Sequence, residues 1–272
     1  VIRALEGGGM DAVFLAHDPL LNRRVILKLC RLEGEGDTAQ RELRFRREVM
    51  VTAQLQHPGI PPVYGFRRRA DGSLFYVMQP IEGRPLAGIL QELREGRGET
   101  ADRFDLFHLV EIFRGICQTV HYCHSRGVIH RDLKPSNISV GEFGEVYVLD
   151  WGLTKILDRG LRKDIDDTPA ELEPGRDLSD LGEETRLDEP ETADDAGSPE
   201  ADSARTLVGT IMGTPAYMPP EQASGAVEEH GIHSDIYSLG AILYELLTLR
   251  PPVTHPDVSA MLAAKARDAI IP

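Results

Sequence analysis

The run His130-Arg131-Asp132-Leu133-Lys134-Pro135-Ser136-Asn137 constrains this chain more than any other stretch of it. An Asp, a Lys two residues on and an Asn five residues on put a carboxylate, a cation and an amide oxygen in one short segment. Phosphoryl transfer needs those three groups: one to receive a hydroxyl proton, one to offset charge and one to ligate a metal. The flanks place the run on a loop. Upstream, Phe104–His124 has apolar residues at 106, 109, 110, 113, 116, 117 and 120, the period of a long buried helix. Downstream, Val146–Leu149 reads as a short apolar strand leading into Asp150.

The rest of the chain is β-rich first and helical later. Ala12–Ala16 and Arg24–Leu29 are apolar, β-favouring runs separated by an Asp-Pro turn. Thr38–Leu55 has helical periodicity, with Leu43, Phe45, Val49, Met50 and Ala53 forming its apolar side. Tyr64–Arg68 and Leu74–Met78 flank Ala70-Asp71-Gly72, a hairpin signal. Beyond Gln79 helices dominate. Ile236–Leu247 is almost continuously apolar, as in a helix through a core, and Asp257–Ala269 is a further amphipathic helix.

Charge is unevenly spread. From Asp158 to Arg205 there are seventeen acids against six bases, so this segment carries −11 of the chain's −14. It has no aromatic residue and cannot bury enough apolar surface to offset its ordering entropy, so it reads as a disordered insert. No basic patch with interleaved aromatics supports nucleic-acid binding. No apolar run approaches the ~18 residues of a membrane span, and no signal peptide opens the chain. It starts at Val1 rather than Met and so reads as an excised segment of a cytoplasmic protein whose parent carries any membrane tether elsewhere. Cys30, Cys117 and Cys123 lack metal spacing and are expected as small buried apolar residues in a reducing compartment.

The central run matches the protein-kinase catalytic loop H-R-D-L-x-x-x-N at each specified position. Further similarities follow in the family's order: Val25-Ile26-Leu27-Lys28, Glu48 on the Arg-rich helix, and Asp150-Trp151-Gly152 for D-F-G. Gly213-Thr214-Pro215 through Pro219-Pro220-Glu221 resembles the end of an activation segment, and Asp235-Ile236-Tyr237-Ser238-Leu239-Gly240 a D-x-W-S-x-G helix start. The chain thus resembles a bacterial eukaryotic-like serine/threonine protein kinase.

The resemblance implies an α+β, two-lobed fold: a small β-rich lobe over 1–78, a hinge at 79–81 and a mostly helical lobe over 82–272 with the acidic insert at about 158–205. The large lobe would lack its last helices, so Glu221 would lack its customary Arg partner and be solvated. ATP and Mg²⁺ (or Mn²⁺) are the implied cofactors. Lys28 would hold the α- and β-phosphates and Glu48 would orient it. Asn137 and Asp150 would bind the metal. Asp132 would accept the hydroxyl proton, Lys134 would steady the transferred group, and Thr214 would shape the substrate site. Gly8 and Val13 would cover the nucleotide, with Met78, the Gln79 carbonyl and the Ile81 amide at the adenine. Pro80 lacks an N–H at a position that needs none. Protein Ser/Thr hydroxyls are the implied acceptors. Self-association would serve autophosphorylation at Thr206 or Thr210, whose phosphate would pair with Arg131.

The glycine-rich loop departs from the family pattern, because Glu6 and Asp11 replace two of its three glycines. A carboxylate ~6 Å from a phosphate costs roughly 3 kcal/mol at an effective dielectric of about 20. The alternative reading is therefore a pseudokinase scaffold or switch with little turnover. A small-molecule kinase is opposed by the Gly213–Glu221 and Asp235–Gly240 segments.

Overall fold

The computed structural model describes residues 2–5, 11–30, 38–69, 71–158, 161, 165 and 215–253. Expectations that rest on Glu6, Gly8, Thr206, Thr210, Thr214, most of 158–205 and 257–269 lie outside them. By packing the chain divides into two units. The first includes Val1–Val49 and Pro62–Pro80; the second takes Met50–Pro61, Ile81–Thr168 and Val208–Pro272.

The first unit is an antiparallel sheet with a helix. Strands β1 (Arg3–Leu5), β2 (Asp11–Asp18), β3 (Arg23–Cys30), β4 (Val63–Arg68) and β5 (Leu74–Met78) lie in the order β1-β2-β3-β5-β4. The β2–β3 turn is closed by Asp18, whose Oδ1 accepts from the Leu20 amide at 3.2 Å and whose Oδ2 accepts from Arg23 Nε at 3.2 Å. In the β4–β5 turn Asp71 Oδ1 accepts from the Ser73 amide at 2.8 Å, and Gly72 supplies a φ of +87°. Helix α1 (Thr38–Gln54) sends Phe45 and Val49 into a core with Cys30, Leu74 and Tyr76. The Phe45 and Tyr76 rings are 5.4 Å apart. Leu43, expected on the apolar side, is 58% exposed, and Ala53 is exposed too. Leu43 lies two residues from Phe45, about 200° around the helix, so both cannot face one core.

The second unit collects three-stranded and two-stranded sheets among helices. Strands β6 (Gly83–Pro85), β8 (Ile138–Gly141) and β9 (Val146–Val148) form one sheet; β7 (Val128–Ile129) pairs with β10 (Lys155–Ile156). The helices are α2 (Leu86–Arg94), α3 (Gly98–Arg103), α4 (Leu106–Ser125), α5 (Pro220–Ala223) and α6 (Ile232–Thr248). Val51, Leu55 and Ile60 join this unit's core beside Ile89, Leu90, Ile116, Ile138, Val148 and Ile242. At the α4–β7 junction Gly127 takes a φ of +68°, and a Cβ there would meet Asp158 Cβ at 2.7 Å. Among the described residues no helix is long and apolar enough to cross a membrane.

Two helix expectations need correction. The Phe104–His124 stretch is broken: Phe104 closes α3, and Asp105 caps α4 by accepting from the His108 amide at 2.9 Å. The buried face of α4 is Leu109, Ile112, Ile116, Thr119, Val120 and Cys123, whereas Leu106 and Val110 are exposed. Helix α6 starts a turn earlier than Ile236 and is not buried all round. Leu239, Ile242 and Leu246 face the core, while Ile232, Ile236, Tyr244 and Leu247 are exposed. Glu221 is also not simply solvated: its Oε1 accepts from Ser234 Oγ at 2.5 Å and lies 3.4 Å from His233 Nε2. Ser234 can reach it because the first turn of α6 is fixed by Gly231, whose carbonyl accepts from the Ser234 amide at 3.0 Å.

Candidate active site

The predicted site residues form two clusters, one within each unit. In the first unit, sheet register sets the geometry. Val13 pairs with Lys28 across β2 and β3, and Lys28 pairs with Tyr76 across β3 and β5, so the three share one face. Lys28 Nζ donates to Glu48 Oε1 at 2.7 Å, and the Tyr76 hydroxyl donates to the same oxygen at 2.9 Å. Glu48 is only 6% exposed, and two donors offset the cost of burying its charge. Burial, and then the Glu48 charge, push the Tyr76 hydroxyl well above its ordinary range, which keeps it a donor.

Asp11 has a partner that the sequence did not indicate: its Oδ2 lies 3.2 Å from Lys28 Nζ. The reason is register. Asp11 pairs with Cys30, two residues along β3 from Lys28, and so sits diagonally from Lys28 on the same face. Met78 pairs with Ile26 and Val63, and the Gln79 amide donates to the Pro62 carbonyl at 3.2 Å. Ile81 is half-buried in the second unit.

In the second unit the loop from His130 to Asn137 is held by its own polar groups. Lys134 Nζ donates to Asp132 Oδ2 at 2.8 Å, and Asn137 Nδ2 donates to that oxygen at 3.1 Å and to the Asp132 carbonyl at 2.9 Å. Asp132 Oδ1 takes no hydrogen bond among the described residues. The Leu149 amide donates to the Asn137 carbonyl at 2.8 Å, tying this loop to the strand that delivers Asp150. Asp150 is exposed and takes a φ of +63°. Such a φ is strained for a residue with a Cβ and persists where the surroundings enforce it. The Asp150 carboxylate and Asn137 Oδ1 both lack hydrogen bonds among the described residues. Two open oxygen donors of this kind fit a hard divalent cation.

His130 is an internal brace. Its Nε2 donates to the Leu149 carbonyl at 3.0 Å, while Nδ1 accepts from the Asp132 amide at 3.2 Å. Its ring lies 4.6 Å from that of Trp151, which is buried and donates from Nε1 to the Val148 carbonyl at 3.2 Å. The large apolar residue expected after Asp150 is therefore an anchor.

Sequence reasoning did not assign the residue that fixes the loop most firmly. Asp235, 1% exposed in the first turn of α6, accepts from the His130 amide at 2.9 Å, the Arg131 amide at 2.9 Å and His124 Nε2 at 2.7 Å. A charge at the head of an apolar helix was the available signal. Arg131, at a φ of +71°, points its guanidinium at His230: Nε donates to Nδ1 at 2.9 Å, with a second close approach from an η nitrogen. Burial draws Arg131 below its ordinary value, with Asp235 acting against that. His230 is drawn down too, by burial first and then by Arg131 and Lys155.

Comparison with known proteins gives the same reading. The profile of the protein kinase domain matches residues 2–170 and 179–271. Among similar proteins, serine/threonine-protein kinase PknD of Protochlamydia amoebophila is 38% identical over 93% of this chain, which covers 23% of that protein. The PknD of Chlamydia trachomatis serovar D is 38% identical over 100% of this chain, covering 26% of its own length. The PknD of Chlamydia caviae is 37% identical over 93%, covering 24%. The chain thus spans about a quarter of the length of these relatives.

Proposed function

Since this chain belongs to the protein kinase domain family, on its bacterial eukaryotic-like serine/threonine branch, we propose that it transfers the γ-phosphoryl group of ATP to Ser and Thr hydroxyls of proteins. The observation that carries this reading is the Asp132 carboxylate, gripped at Oδ2 by Lys134 and Asn137.

In this reading Asp132 Oδ1 orients the substrate hydroxyl and receives its proton as the oxygen attacks phosphorus. The proton goes to the carboxylate and the leaving group is ADP. Lys134 does two things: it holds Asp132 in place, and it offers positive charge beside the group in transfer. Lys28, oriented by Glu48, binds the α- and β-phosphates. Asn137 Oδ1 and Asp150 would hold Mg²⁺, which when bound neutralises phosphate charge. Val13 would cover the nucleotide, Met78, Gln79 and Ile81 would contact the base, and Thr214 would shape the acceptor site. Acceptors include this protein's own Thr206 and Thr210, through self-association. Catalysis of this kind is positioning plus electrostatics, and loop bracing by Asp235 serves it.

The test is Asp132→Asn beside Lys28→Met. The first should cut phosphate transfer by about 10²–10⁴-fold with Mg-ATP affinity nearly kept, because it removes a proton acceptor and no nucleotide contact. The second should weaken both affinity and turnover. Transfer at the wild-type rate in Asp132→Asn, followed by phosphate incorporation from labelled ATP, would refute the assignment.

A further inference from the structure

Lys28 sits between two carboxylates, and they are not equivalent. Glu48 is the inner one: 2.7 Å away, with its side chain 7% exposed and a second donor in Tyr76. Asp11 is the outer one: 3.2 Å away, with its side chain 20% exposed. The shorter, more buried and doubly bonded partner is the permanent one, since removing it would leave a desolvated charge. The outer carboxylate is held by a longer contact, closer to water, and is the exchangeable partner.

We propose that Asp11 is a positioning residue that holds Lys28 until nucleotide phosphates displace it, and so sets the affinity for nucleotide. The proposal rests on the reading of Lys28 as the phosphate-binding lysine. Asp11 lies against the ammonium alongside Glu48 and holds it there until a nucleotide arrives. A phosphate chain then binds the ammonium, and Asp11 gives up its contact with Lys28. Breaking the Asp11–Lys28 pair subtracts from the binding free energy of any ligand whose phosphates reach Lys28. It subtracts nothing from a ligand without phosphates.

This differs from simple repulsion between Asp11 and phosphate, because the effect of Asp11 must pass through Lys28. A double-mutant cycle separates the two. Wild type, Asp11→Asn, Asp11→Glu, Lys28→Met and the Asp11→Asn/Lys28→Met pair are titrated calorimetrically with Mg-ATP and with adenosine. Steady-state kinetics are measured on the variants that retain Lys28. Asp11→Asn should bind Mg-ATP about tenfold tighter, equal to ~1.4 kcal/mol, with the change in KM rather than kcat and adenosine affinity unaltered. Asp11→Glu should return the affinity toward wild type, and the gain should vanish when Lys28 is Met. A gain of the same size in the Lys28→Met background would overturn the proposal in favour of direct repulsion. Weaker or unchanged Mg-ATP binding in Asp11→Asn would overturn it outright. If Lys28→Met alone binds Mg-ATP like wild type, the phosphate role of Lys28 fails and the proposal falls with it, a result visible before Asp11 is touched.

Discussion

Asp235 and His230 set the loop's resting geometry from one side chain each. Asp235 accepts three hydrogen bonds at 2.7–2.9 Å while almost fully buried. Asp235→Asn keeps the shape but turns one acceptor into a donor facing N–H groups, and a buried donor left unpaired costs about 1–3 kcal/mol. A loss of that size in urea unfolding, with slower phosphate transfer, is expected; an unchanged unfolding midpoint would contradict it. His230 sets a pH limit. Its Nδ1 accepts from Arg131, while Arg131 and Lys155 both oppose a positive ring and Glu221 favours one. Burial first, and then Arg131 and Lys155, hold its folded pKa below the ordinary 6.5, so the native state binds fewer protons than the unfolded chain. The stability this gives is complete above about pH 6.5 and is lost as pH falls through the folded value. Unfolding midpoints at pH 7.5 and 5 should differ less in His230→Gln than in wild type.

The helices differ in how their apolar residues are used. In α6 Ile242 is 0% exposed and Ile236 is 54% exposed, six residues apart on one helix. Ile242→Ala should cost about 2–5 kcal/mol through lost burial and a residual cavity. Ile236→Ala should stay within about 0.5 kcal/mol. Chemical denaturation of the two variants checks both, and equal costs would mean that the exposed ridge of α6 is covered in solution. At the far end of α6, buried Glu245 accepts from Arg94 at 3.0 Å and from the Tyr217 hydroxyl at 2.5 Å. That joins α6 to α2 and to the segment before α5. Helix α1 shows the opposite economy: its one buried carboxylate, Glu48, is satisfied by a strand lysine and a strand tyrosine.

Across the whole molecule, charge is the quantity the sequence distributes most unevenly. Residues 170–203 hold thirteen acids and two bases, so removing them takes the net charge from −14 to −3. The cut should begin after Ile165, because Leu161 and Ile165 pack against the second unit's core. Such a deletion should keep the fold and flatten the salt dependence of the melting temperature, since self-repulsion is screened by salt. An equally steep salt dependence after deletion would show that the tract does not govern it. Much of the site was legible in the chain itself. Spacing alone placed a carboxylate, a cation and an amide on one loop, and apolar, β-favouring runs with turn residues between them located β2 to β5 and their hairpins. Local chemistry suffices for such features because their partners are a few residues away. The rest depends on partners far along the chain. Asp235 meets His130 105 positions away, and Tyr76 meets Glu48 at 28. Which face of α4 or α6 is buried depends on what packs against it, and the pairing of Asp11 with Lys28 depends on a strand register. The sequence by itself determined which chemical groups this protein possesses and the short segments that carry them; the tertiary structure decided which charges neutralise one another, because long-range packing and register alone bring them within bonding distance.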